Sequence, residues 1–206
     1  MMLHPPSRAP IVLDPPPDPS RVDHCVVLRD VSWEQYEALL ASRADDAGPR
    51  MTYHRGTLEI MSPSAEHEAV SRSFSRLLGA FAEERGIELN AYGAWTQKRG
   101  PERGLEPDEC FVIGERTRAV PDLAIEVVWT AGIGSKLDVY RGLGLPEVWV
   151  WKAGQITVHV LEDGAYALRE RSALLPGLDL ELLARFVTRT DQISAIREYR
   201  ATVRGA

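Results

Sequence analysis

The sequence predicts an α/β (α+β) protein in which hairpin-linked strands build a largely antiparallel β-sheet with helices packed against it. Three observations carry this. Short runs rich in Val, Ile, Thr and Trp are separated by Gly-containing turns, as in hairpins. The segment after Ser64 places Val70, Phe74, Leu77, Leu78 and Phe81 at helical spacing. Two more helical patterns close the chain. At 206 residues with 44% hydrophobic content, the chain suffices for one well-buried domain.

Taken in order, residues 1–25 hold seven of the 14 prolines and almost no apolar periodicity, so they read as a Pro-rich flexible arm. A single domain is expected over residues 26–206. Ser32 with Gln35 forms a capping-box pattern, and Trp33, Tyr36, Leu39 and Leu40 recur at helical spacing to about Ser42. Residues 51–53 and 57–61 flank His54-Arg55-Gly56, a hairpin reversal. Ser62-Pro63-Ser64 ends the second strand and starts the long helix, which stops before Gly86. Strands are expected at 88–97, 106–113 and 122–129, then a helix at 135–143 halted by Gly142, Gly144 and Pro146. Three strands follow from Glu147, with turns at Gly154-Gln155 and Asp163-Gly164, and helices at 179–187 and 190–204 complete the chain.

Several function classes are set aside by composition. No apolar run is long enough to span a membrane, and the Pro-rich start lacks a signal-peptide layout, which points to a cytoplasmic protein. Cys25 and Cys110, with no C-x-x-C spacing, are expected to be buried thiols and not a disulfide or zinc site. A net charge of −6 argues against a wholly basic nucleic-acid binder but leaves room for a local basic strip. Lys98, Arg99 and Arg103 form such a strip, a candidate contact for DNA phosphates.

The chemistry concentrates on two acids. If 106–113 and 122–129 pair antiparallel around a loop near residues 116–118, Asp108 lies directly opposite Glu126, with Cβ atoms roughly 4.5–5.5 Å apart. Two carboxylates that close repel unless a positive group, such as a divalent cation, lies between them. Strand alternation puts Asp122 on the Glu126 face but about 13 Å along it, so Asp122 is an accessory at most. An ionised Glu within an apolar strand needs a partner, and a buried Glu–Arg or Glu–Lys pair competes with metal ligation. Lys136 opens the following helix, which brings it back over the Glu126 end of the sheet. On the long helix, at about 100° per residue, Glu66 and His67 turn toward the sheet and Glu68 turns away. Glu66 is a candidate third acid, His67 a possible accessory or a hydrogen-bonded core residue, and Glu59 faces either the same cleft or water. Gly132 to Leu137 fails as a phosphate loop, because Gly does not precede Lys136 and no Ser or Thr follows it.

Taken together, Arg55-Gly56-Thr57-Leu58-Glu59-Ile60-Met61-Ser62-Pro63-Ser64, then Glu66-His67, Leu105-Glu106-Pro107-Asp108-Glu109, Pro121-Asp122-Leu123 and Ile125-Glu126-Val127, and Lys136-Leu137 with Tyr140 running into Gly144-Leu145-Pro146-Glu147-Val148-Trp149, resemble the Uma2 family of "putative restriction endonucleases" over about residues 30–187. That resemblance implies membership of the PD-(D/E)XK nuclease superfamily and a restriction-endonuclease-like mixed sheet flanked by helices. It further implies Asp108, Glu126 and Glu66 as metal ligands for Mg²⁺, with Mn²⁺ able to substitute, DNA as substrate, and a homodimer. Val128 stands where the superfamily pattern has its lysine, and the family resemblance moves that role to Lys136. The competing expectations are a catalytically silent nuclease-fold module that binds nucleic acid or a protein partner, and a structural domain whose acids are paired with Arg.

Overall fold

The computed structural model describes residues 22–43, 48–115, 118–129 and 134–205. Most of the Pro-rich arm, the tip of the loop near Arg116 and the residues just before Gly134 lie outside that set. Five helices and eleven strands form two sheets among the described residues. The expectation of a mixed, largely antiparallel arrangement flanked by helices therefore holds, with its strands divided in two.

The first sheet runs in the order β1 (His24–Leu28), β3 (Thr57–Ser62), β2 (Arg50–His54), β6 (Arg103–Leu105) and β5 (Gln97–Arg99), all antiparallel. β2 and β3 turn at Arg55 and Gly56, whose φ values of 47° and 85° are the paired positive angles that a two-residue hairpin requires. Helix α1 (Trp33–Ser42) covers one face. Ser32 caps it in a reciprocal box with Gln35, as the sequence indicates. Tyr36, buried beneath it, stacks on Tyr53 with ring centroids 5.0 Å apart.

The second sheet, in the order β11 (Ala165–Arg169), β10 (Gln155–Glu162), β9 (Glu147–Lys152), β8 (Leu123–Val128), β7 (Glu109–Ile113) and β4 (Leu89–Ala91), contains one parallel pair among its described strands, β8 with β9. The parallel pair arises because α3 (Gly134–Leu143) intervenes as a crossover. Both faces of β8 are covered. On one face Leu123, Ile125 and Val127 join Trp149, Trp151 and the apolar stripe of α2 (Ala65–Arg85), with α4 (Leu180–Val187) and α5 (Gln192–Gly205) behind. Against the other face, Ala124 and Val128 pack on Val139 and Tyr140 of α3. Continuous burial of the strand on both sides matches an apolar run broken only by Glu126.

Four expectations are corrected. The strand expected at 88–97 is two: β4 joins the second sheet and β5 the first, because the chain crosses between them after Gly93 (φ 63°). The strand expected from 106 begins at Glu109. Pro107 has no N–H to donate to a ladder, and the buried Glu106 carboxylate is taken by Arg43 Nη1 at 2.9 Å, Met51 N–H at 2.9 Å and Thr96 Oγ1 at 2.9 Å. The turn expected at Gly154-Gln155 sits at Ala153-Gly154. Cys25 is exposed on β1, a strand that takes in the last two residues assigned to the arm; only Cys110 is a buried thiol.

Candidate active site

The β7–β8 hairpin adopts the expected register, with Glu109 opposite Ile125, Cys110 opposite Ala124 and Phe111 opposite Leu123. One residue further, Asp108 precedes β7 at the level of Glu126. Asp108 lies beside the ladder and does not extend it, because its Oδ2 accepts the Val127 N–H at 2.7 Å while Ser71 of α2 donates to its carbonyl at 3.1 Å. Both carboxylates are buried, Glu126 completely. They meet where the first sheet, α2, α3 and the hairpin converge.

Each acid has its own positive partners. Lys136 and Tyr140, four residues apart and hence on one face of α3, both reach Glu126. Lys136 Nζ lies 2.8 Å from Oε2 and the Tyr140 hydroxyl donates to Oε1. Asp108 faces Arg50 Nε at 3.2 Å and His67 Nε2 at 2.8 Å. His67 Nδ1 in turn lies 2.9 Å from Asp23 Oδ2, whose other oxygen accepts the Ser64 N–H at 2.8 Å. Arg50 also holds Glu68 at 2.7 Å.

Electrostatics set the protonation states. Burial alone would raise the Asp108 carboxyl, but the His67 hydrogen bond and the charges of Lys136, His67 and Arg50 outweigh it and hold it at about 2. Burial and the Asp108 charge push Glu126 upward, opposed by Lys136 and Tyr140. Burial disfavours the Lys136 ammonium, yet Glu126 and Asp108 more than reverse this and keep it protonated. His67 behaves alike: desolvation lowers it, and the two flanking carboxylates raise it.

The other expected residues separate. Glu66 is not in this cluster; it lines a different cavity with Trp129 and Trp151. Its neighbour Glu68, expected to point away from the sheet, lines the same cleft as Asp108, where it pairs with Arg50. Glu59 lies within electrostatic reach of Lys136 and hydrogen-bonds Cys25, and it is not among the residues that line the Asp108 cleft. Asp122 ties the β7–β8 hairpin, accepting the Ile113 N–H at 2.8 Å and pairing with Arg118 at 2.6 Å. The basic strip is a hairpin and not a free loop. Lys98 pairs with Glu37 at 3.0 Å, and Arg99 and Arg103 donate to carbonyls of α3, at Gly142 and Asp138, 3.0 and 3.4 Å away. Arg50, Tyr140 and Asp23 were missed. Tyr140 had a signal, the four-residue spacing from Lys136; Arg50 and Asp23 had none, being 58 and 85 positions from Asp108.

The cleft above Asp108 has a volume of about 1120 Å³ and is walled by Arg43, Arg50, Glu68, Arg72 and Glu106. A family model described as "Putative restriction endonuclease", Uma2, matches residues 33–190, most of the chain. The chain belongs to the Uma2 family. A crystal structure of "a putative nuclease belonging to DUF820" from Anabaena variabilis superimposes on this Uma2 protein with a TM-score of 0.55 at 12% identity, covering 81% of this chain and 99% of that one. That likeness shows the fold. None of the curated proteins matches the chain.

Whether this Uma2 site suits a metal turns on its donors. Among the described residues, no three His, Cys, Asp or Glu side chains form a cage. Mg²⁺ does not need one, since it binds through one or two carboxylates and completes its shell with water and substrate phosphate. Asp108 and Glu126 have the donor chemistry for that smaller requirement, with Arg50 and His67 on the first and Lys136 and Tyr140 on the second as the groups a cation would compete with. Asp108 is ionised, and its buried Oδ1, in an ion pair with Arg50, makes no hydrogen bond among the described residues. Glu66 is no part of this set.

Proposed function

We propose that this protein is a divalent-cation-dependent nuclease that hydrolyses phosphodiester bonds of DNA in the cleft floored by Asp108. Family membership and the nuclease-like fold support a nuclease. The observation that carries the finer reading is the convergence of Lys136 on Glu126 at 2.8 Å beside an ionised Asp108, with Val128 at the position two residues after Glu126 packed against α3.

Asp108 and Glu126 would hold Mg²⁺, with Mn²⁺ able to substitute; when bound, the cation supplies charge at the phosphate and a more acidic water. The Lys136 ammonium orients Glu126 and presents a donor to a phosphate oxygen or to an attacking water. Tyr140 fixes the second Glu126 oxygen, so the carboxylate cannot rotate away. His67, braced by Asp23, keeps Asp108 ionised, and Arg50 adds positive charge where a phosphate would approach.

Plasmid nicking with Mg²⁺ or Mn²⁺ tests this directly. Asp108→Ala and Lys136→Ala should each lower nicking roughly 100-fold or more. Glu66→Gln should retain it. Equal nicking by wild type and Asp108→Ala would assign the activity to a contaminant and sink the proposal. A second reading, a silent module that binds DNA without cutting it, is favoured by one observation: Asp108 and Glu126 are already partnered by Arg50, His67, Lys136 and Tyr140. DNA binding without cation-dependent cleavage would select it.

A further inference from the structure

Glu66 has an unexplained setting. A cavity of about 400 Å³, within the usual range of small-molecule sites, lies on the side of α2 away from the Asp108 cleft. It is bounded by Glu66, Trp129, Trp151, Thr188, Arg189 and Thr190. Trp129 and Trp151 meet edge to face, with centroids 5.0 Å apart. Trp151 is 2% exposed, and its indole N–H has no hydrogen-bond partner among the described residues. Glu66 makes no hydrogen bond or ion pair among the described residues.

The chemistry of the walls narrows the ligand. Indole rings favour a flat π-system, by stacking or edge contact. The Glu66 carboxylate only accepts hydrogen bonds and can receive two parallel ones. Arg189 only donates, and the threonine hydroxyls do both. A simple organic cation would satisfy Glu66 and the rings but would meet the Arg189 guanidinium. Arg189 is already engaged by Asp191 and Glu198, so it remains on the wall as a fixed group. A neutral planar ring with two adjacent donors beside an acceptor suits Glu66, the indoles, Arg189 and the threonines together. Among the nucleobases this is guanine, whose N1–H and N2–H₂ lie side by side next to O6.

We propose that the cavity is a binding site for an unpaired guanine base, with Glu66 accepting from its N1 and N2 and the Trp129 indole, backed by Trp151, contacting its ring. In a duplex those donors are committed to cytosine, so the site takes guanine only from a free nucleotide or an unpaired position in a strand. The guanine proposal does not depend on cleavage, because binding is measured separately.

The test is calorimetric titration of the full chain, without divalent cation, against guanosine, inosine, adenosine and cytidine monophosphates. Guanosine monophosphate should bind most tightly. Inosine monophosphate, which lacks the N2 donor, should bind about fivefold or more weakly. Glu66→Gln should abolish the guanine-over-inosine preference while keeping the wild-type melting temperature, since Glu66 is partly exposed and unpartnered. An oligothymidylate with one central guanine, compared with the same guanine paired in a duplex, separates a strand source from a free nucleotide: competition by the single strand alone assigns the site to strands. Equal affinity for all four nucleotides, a preference unmoved by Glu66→Gln, or tighter binding of guanidinium or tetramethylammonium than of guanosine monophosphate would each overturn the proposal. No binding of any guanine ligand would overturn it as well, whatever the nicking assay shows.

Discussion

His67 is held between two carboxylates, Asp23 at 2.9 Å and Asp108 at 2.8 Å, in a position almost sealed from solvent. Its folded-state pKa is therefore raised above the ordinary ~6.5. The resulting stabilisation is full below about pH 6.5 and is lost as pH rises through the folded value. Asp108 runs the other way: depressed to about 2, it stabilises above its unfolded value of about 3.9 and ceases to do so as pH falls through 2. Both contributions coincide between about pH 4 and 6.5. His67→Gln, melted in a chelating buffer, should lose on the order of 10 °C at pH 5.5 and clearly less at pH 9. An equal loss at both pH values would show that His67 acts by packing alone. The sequence made Asp108, Glu126 and Lys136 legible because strand alternation and short separations constrain them. Arg50 and Asp23 were illegible, since their proximity to Asp108 is created by a sheet pairing and a helix entry, neither of which leaves a local trace.

Helices and hairpins followed their local codes. The capping box at Ser32, the left-handed Gly86 ending α2 and the paired positive φ angles at Arg55 and Gly56 are all local conformational necessities. β1 escaped notice because it is an edge strand, exposed at every residue and lacking an alternating pattern. β4 and β5 read as one strand because nothing in residues 88–97 records that the chain changes sheets. Packing between elements imposes its own demands. A Cβ on Gly104 would overlap the Tyr36 hydroxyl and sit 2.9 Å from its ring carbons, in the buried stack beneath α1. Gly104→Ala should therefore destabilise by about 1–3 kcal/mol, against an unchanged or slightly raised melting temperature for Gly79→Ala, which lies within α2 with open space beside it. If both variants melted alike, α1 would have to be free to move off the sheet.

At the scale of the whole molecule, the positive charge that lines the cleft is already paired. Of the cleft arginines, Arg43 pairs with Glu106, Arg50 with Glu68 and Asp108, and Arg72 with Glu109, in a chain of net charge −6. Few counterions can then be released on binding duplex DNA. The slope of log affinity against log salt should be shallow, about −1 to −2, measured by fluorescence anisotropy without divalent cation. A slope steeper than about −5 would reveal a basic surface outside the cleft. No helix among the described residues is long and apolar enough to cross a membrane.

Local pattern alone determined the helices, the hairpins and the β7–β8 register, which sets Asp108 just beyond the ladder at the level of Glu126, because periodicity and turn chemistry act over a few residues. Only the tertiary structure decided which helical acid enters the cleft. Glu66 and Glu68 differ by about 200° around α2, and the contacts of Asp23 and Ser64 at its first turn orient the helix. That orientation gives Glu68 to Arg50 and sends Glu66 to a separate aromatic cavity.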